Sequence, residues 1–218
     1  MIDLNKYQTI FFDCDGVILN SNQAKTDAFR EVLKDYPSNA VDRFINYHQM
    51  KMGISRYGKF NHFFNKIYPV ENSIQFIDQS VKDFSEITRE KLLDCSIISG
   101  VKDLLLYFLE KKVECFLVTG GDQEEVRFSF KKRKLEIYFK GIFGSPTDKY
   151  RNLEIIKRDY QVGNSLYFGD SKIDLDVAEE FSLDFIYVSG VSEWVNGKEY
   201  CKDNGYSQIE DFTQIFRN

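Results

Sequence analysis

From residue 101 onward the chain alternates between helical and strand periodicity, and this rhythm restricts the fold more than any other feature. Apolar residues at 101, 104, 105, 108 and 109 have the spacing of an amphipathic helix, with Gly100 just before it. The run VECFLVT at 113–119 predicts a strand closed by Gly120 and Gly121, and residues 122–133 predict the next helix. The pattern then repeats: a short strand at 141–144, a helix at 149–160, a strand at 165–169 (SLYFG), a helix at 173–181 and a strand at 185–188. Strands and helices in strict alternation form a parallel sheet with helices on both faces.

Residues 22–96 break that rhythm, showing helical periodicity without a convincing strand. Pro37, Gly53 and Pro69 divide the segment into helices over about 22–36, 38–52, 55–67 and 73–94. An inserted helical subdomain is expected, hinged near 17–22 and 95–100. A chain of 218 residues with 43% hydrophobic and 16% aromatic residues has room for a large core and such an insertion.

Charge and cysteine usage narrow the functional classes. A net charge of -5 gives no general attraction to nucleic acid or to an anionic membrane. The one basic run, Lys131, Lys132, Arg133 and Lys134, falls at a helix end, where cations suit the helix dipole and solvent. The longest apolar run, 104–109, is too short to span a bilayer, and the polar N-terminal stretch lacks a signal-peptide pattern. Cys14, Cys95, Cys115 and Cys201 are scattered and read as reduced thiols of a cytoplasmic protein.

Ligands of parallel sheets bind beyond the carboxyl ends of the strands, where strand order reverses. That rule collects Asp13 and Asp15 from QTIFFDCDGV (8–17), Thr119 with Gly120 and Gly121, Lys149 at a helix start, and Asp170 with Asp174 four residues on. Strand alternation turns Asp13 and Asp15 to one side and Cys14 to the other. Two carboxylates so close repel unless a hard cation joins them; Mg²⁺ suits an oxygen site of this kind, with Asp170 as the third partner. Such an ion keeps Asp13 ionised and nucleophilic, whereas an Asp15 side chain held off the metal can keep a raised pKa and deliver a proton. Any one of these residues also suits a turn or a helix cap; the ordered ensemble argues for a site.

The motifs FFDCDGV (11–17), FLVTGG (116–121), Lys149 in SPTDKYRNL and YFGDSKID (167–174), in that order, resemble the haloacid dehalogenase superfamily. Within it they are similar to capped phosphatases and phosphomutases, of the beta-phosphoglucomutase-like and phosphoglycolate phosphatase-like kinds. The resemblance implies a Rossmann-like doubly wound α/β core over 1–20 and 97–218 and an α-helical cap over 21–96. It implies that Asp13 attacks phosphorus and becomes an aspartyl-phosphate, while Asp15 acts as acid and then base. Mg²⁺ would be held by the carboxylates of Asp13 and Asp170 and the backbone carbonyl of Asp15. Thr119, the Gly120 amide and Lys149 would hold the phosphoryl oxygens beside Gly121, with Asp174 and Ser171 supporting them from behind. The departures are Tyr150 after the lysine, where many relatives have Pro, and Asn20-Ser21, where many have Asp-Ser.

In capped relatives a cap loop sets specificity, and KMGISRYGKF (51–60) resembles the Gly-x-Ser-Arg segment of beta-phosphoglucomutase-like proteins. Lys51, Ser55 and Arg56 could then touch a polar or anionic substrate group, although Gly-x-Ser also reads as a helix break followed by an N-cap. His48 and His62 have no metal-ligand spacing and are expected to pack or lie at the surface; Phe60, Phe63, Phe64 and Tyr68 are expected in the cap core. The expected activity is hydrolysis of a small phosphorylated metabolite by a monomer or weak homodimer. A phosphomutase passing the same phosphoryl group to a sugar hydroxyl is the alternative. A non-catalytic phospho-switch fits less well, because domains of that kind are about 120 residues long and lack a cap.

Overall fold

The computed structural model describes residues 3–216. Six parallel strands, β1 (Thr9–Phe12), β2 (Glu114–Asp122), β3 (Gly141–Ser145), β4 (Ser165–Gly169), β5 (Asp184–Val188) and β6 (Ser207–Ile209), pair in the order β3-β2-β1-β4-β5-β6. The chain builds outward from β1 to β2 and β3, then crosses back to lay β4 on the other side of β1. The reversal therefore lies between β1 and β4, where a doubly wound sheet opens its ligand crevice.

Alternating side chains divide the central strands between two faces. Phe11, Phe116 and Tyr167 stack across β2, β1 and β4 on one face, with ring centroids 5.7 and 6.2 Å apart. Leu153 and Ile156 of α7 (Lys149–Asp159) and Leu175, Val177 and Ala178 of α8 (Lys172–Glu180) cover them. On the other face Phe12 and Phe168 stack at 5.2 Å, beneath α5 (Val101–Glu110) and α6 (Gln123–Lys132). These rings are fully buried, and each such phenyl contributes about 1.5–3 kcal/mol by leaving water.

Between β1 and α5 come α1 (Asn22–Val32), α2 (Ser38–Met50), α3 (Arg56–His62), a π-helical turn (Phe63–Ile67) and α4 (Ser73–Asp94). They enclose their own core, in which Phe29, Phe44, Phe60, Phe63, Phe64 and Phe84 are buried. The two passages into and out of this segment run side by side: Leu19 bridges Ile97, and the Asn20 and Ile98 amides donate to the Ser96 and Ile18 carbonyls at 2.9 and 3.0 Å.

The elements differ from expectation at their edges. The helix expected over 55–67 is α3 followed by a π turn, with Tyr68 at its end resting edge-on against Tyr36. Strand β2 runs past the glycines to Asp122, with an irregularity in its pairing to β3 beyond Val118. The short β6 and α9 (Gly197–Asp203) carry too little apolar alternation to be read from sequence. In the basic run, Arg133 ties α6 to the end of α4 by donating to the Leu92 and Cys95 carbonyls at 2.8 and 2.7 Å, while its lysine neighbours are exposed. All four cysteines are free, and no helix among the described residues is long and apolar enough to cross a membrane.

Candidate active site at the carboxyl edge of the sheet

Equal register brings the chemistry to one edge. Phe12 pairs with Leu117 on one side and with Phe168 on the other, so Asp13, Thr119 and Asp170 emerge within two residues of the same level. Strand β1 ends at Phe12, so the two acids lie just past it. Asp13 is pinned by its amide donating to the Phe168 carbonyl at 3.0 Å, and the Cys14 side chain is buried in the core. Gly16 has φ +77°, and a Cβ there would meet Asp170 Oδ2 at 2.1 Å, so only glycine lets the chain turn beside that carboxylate.

Lys149 Nζ lies 2.9 Å from Asp13 Oδ1 and 2.5 Å from Asp174 Oδ1, all three side chains buried. The ammonium donates to Asp174, and Asp13 Oδ1 has no polar partner among the described residues besides its ion pair with that same ammonium. Asp174 is fully engaged: Oδ1 also accepts from the Tyr167 hydroxyl, and Oδ2 accepts from the Ser171 amide and hydroxyl. Asp13, Asp170 and Asp174 offer oxygens within 4.8 Å of one another, a set able to hold a metal ion. Because Asp174 has spent its lone pairs, Asp13 and Asp170 are the carboxylates left to do so.

Burial drives the carboxyl of Asp13 up to about 7, against the pull of Lys149 and with help from Asp174 and Asp15. Burial and the charges of Asp13 and Asp174 raise Asp170 well above the usual carboxylate range. Acids forced up in this way are relieved by a cation, so the donor set fits a hard, oxygen-liganded ion.

Asp15 departs from expectation, because its carboxyl is lowered, not raised. Burial pushes it up, but the Lys25 ammonium at 2.5 Å and the Ser21 hydroxyl at 2.5 Å outweigh that. Thr119 is buried at the sheet edge and its hydroxyl accepts from the Gly121 amide at 3.0 Å.

A cavity of about 50 Å³ is walled by Asp13, Asp15, Asp170, Gly120 and Gly121 from the sheet edge, and by Lys25, His48, Arg56, Lys59 and Phe84 from the helical segment. The two walls touch where a Cβ on Gly120 would meet the Gly53 carbonyl oxygen at 2.2 Å. Arg56 is buried, stacks over Phe84 and makes a bidentate ion pair with Glu125 of α6 at 2.9 and 2.6 Å. Its guanidinium fastens α3 to the sheet layer.

Lys51 stands apart from the other expected site residues. It terminates α2 with an exposed side chain outside the cavity wall, because the chain turns inward only at Met52. Ser55 caps α3, its hydroxyl accepting from the Gly58 amide at 3.2 Å, and it faces a neighbouring cavity shared with Gly120 and Lys149. His62 stacks on Tyr47 at 3.7 Å, as a packing residue does.

The structure adds site residues that the motifs do not reveal. Asn22 donates to Asp170 Oδ2 at 2.6 Å, Lys25 pairs with Asp15, and His48 and Lys59 meet in the cavity wall. Asn22, Lys25, Thr26 and Phe29 repeat at helical spacing along one face of α1, a signal present in the sequence but masked by its polarity.

The family model for haloacid dehalogenase-like hydrolases matches residues 10–188. The chain belongs to that family. Solved structures similar to this hydrolase include CbbY from Rhodobacter sphaeroides in complex with phosphate, at 14% identity and TM-score 0.75, with 96% of each chain covered. A predicted phosphoglycolate phosphatase from Haemophilus somnus is similar at 15% identity and TM-score 0.74, with 97% of each chain covered. A predicted phosphatase from Clostridium acetobutylicum is similar at 15% identity and TM-score 0.74, over 96% of each chain. No curated protein matches the sequence.

Proposed function

We propose that this hydrolase is a Mg²⁺-dependent phosphatase acting on a small, polar phosphomonoester, a phosphosugar or related phosphorylated metabolite. The observation that carries the reading is Asp13: buried at the carboxyl end of the central strand, with Oδ1 facing the Lys149 ammonium at 2.9 Å and no other polar partner among the described residues. A carboxylate oxygen so placed is available to attack, whereas a structural one would be satisfied.

In this reading Asp13 attacks phosphorus and carries the phosphoryl group. Asp15 gives a proton to the departing oxygen and takes one from the water that frees Asp13. Lys149, Thr119 and the Gly120 amide neutralise charge on the phosphoryl oxygens, and Asp174 aims Lys149. Asp13, Asp170 and the Asp15 carbonyl would hold Mg²⁺, which when bound supplies positive charge to the phosphoryl group and keeps Asp13 ionised. The helical segment would serve as the cap, joined by its paired passages and closed by Arg56 on Glu125. The unpaired cysteines suit the cytoplasm, and a monomer or weak homodimer would suffice.

The test follows the fate of the phosphoryl group. With Mg²⁺, a generic aryl phosphate and a panel of sugar phosphates should release inorganic phosphate in step with the substrate consumed, and chelation should stop it. Isomerised sugar phosphate without phosphate release would replace phosphatase by phosphomutase, and inertness toward every phosphomonoester would contradict both.

A further inference from the structure

Four cations stand in or behind the cavity, and three have carboxylate partners. Lys25 pairs with Asp15 at 2.5 Å, Arg56 with Glu125 at 2.6 Å, and Lys149 with Asp13 and Asp174 at 2.9 and 2.5 Å. Lys59 is the exception. Only 4% exposed, it has no carboxylate within 4.0 Å among the described residues, and its one hydrogen-bond partner there is His48 Nδ1 at 2.5 Å. Its ammonium sits 5.4 Å from the Phe29 ring centroid.

The contact with His48 has a defined direction. Thr26 Oγ1 donates its single proton to Glu193 Oε2 at 2.7 Å, so it must accept from His48 Nε2–H at 2.9 Å. Nδ1 is then a bare lone pair that receives one Lys59 N–H. Burial, with Lys59 and Lys25 nearby, pushes His48 down to about 2, which keeps the imidazole neutral. The chain Lys59–His48–Thr26–Glu193 draws on α3, α2, α1 and the loop after β5, fixing the lysine where two of its three N–H groups stay uncommitted.

A buried ammonium without a counter-ion is costly, and here a rigid scaffold holds it in the wall of a cavity whose other cations are already neutralised. We propose that Lys59 binds a second anionic group of the substrate, so that the substrate is a small phosphomonoester that also carries a carboxylate or a second phosphate. This rests on the phosphatase reading above. Burial, and after it the charge of Lys25, lower Lys59 to about 7, while Asp15 and Glu193 oppose that; an entering oxyanion restores the full charge.

The test uses three phosphomonoesters of matched length, ending in a carboxylate, a second phosphate or a hydroxyl, with kcat/KM measured for the wild type, Lys59→Met and Lys59→Gln. The wild type should prefer one anionic ester over the hydroxyl ester, and that ratio should fall roughly 10- to 100-fold in both variants, mainly through KM. The ester that loses most identifies the anion. An unchanged ratio, or no anionic preference in the wild type, overturns the proposal. A lowered Tm with an equal loss on all three esters would mark a packing role and also overturn it. Turnover of a generic aryl phosphate by the wild type separates this outcome from failure of the phosphatase reading. Where turnover is too slow to rank, calorimetric Kd values for the same three esters give the same ratio.

Discussion

At the scale of single residues, the site is a set of buried charges whose partners decide what each can do. Asp13 and Asp15 stand two positions apart, yet burial raises one carboxyl while Lys25 lowers the other. The ion pair leaves Asp15 ready to accept a proton, and a protonated Asp15 requires Lys25 to draw back. Lys25→Met should therefore let burial dominate, so that the Asp15 pKa rises and the limb of the kcat/KM profile that reports it moves to higher pH; an unmoved profile would remove Lys25 from the chemistry. The acids themselves were legible, because Asp-x-Asp-Gly after an apolar run has a spacing that chemistry uses. Lys25, His48 and Lys59 were not, since each is a single polar residue on a helix and acquires meaning only when three helices close on the sheet.

At the scale of elements, the glycine turn at Gly53 and the N-cap at Ser55 place Arg56 at the first position of α3, aimed at α6. The Gly-x-Ser-Arg stretch suggested contact with substrate; its arginine lines the cavity and also fastens the layers together, through a carboxylate 69 residues away that is invisible to local pattern. Arg56 is almost wholly buried and Glu125 largely so, so truncating the acid strands a guanidinium away from water. Glu125→Ala should cost about 3 kcal/mol of stability, and denaturant unfolding will read it. A change below about 0.5 kcal/mol would mean that the pair is screened and fastens nothing. Strand and helix identities from 101 to 188 followed from periodicity, while the end of β2 shifted because its pairing with β3, interrupted after Val118, resumes at Asp122.

At the scale of the whole molecule, one topological fact organises the rest: the reversal of strand order between β1 and β4 makes the crevice, and equal register delivers Asp13, Thr119 and Asp170 to it. The convergence of those strand ends was readable, because alternating periodicity implies a parallel sheet; which strands flank the reversal was not. What the sequence could not supply is the closure itself, with Gly53 against Gly120 and a cavity of about 50 Å³ between the two layers. Every role proposed for the site depends on Asp13 as the attacking group. Its most direct measurement is the turnover of a generic aryl phosphate, with Mg²⁺ present, by Asp13→Asn and by the wild type. An amide in place of the nucleophile should lower kcat by about a thousandfold or more, on the scale of removing a covalent catalyst. Turnover by Asp13→Asn within about tenfold of the wild type, a barrier change near 1.4 kcal/mol, would contradict it.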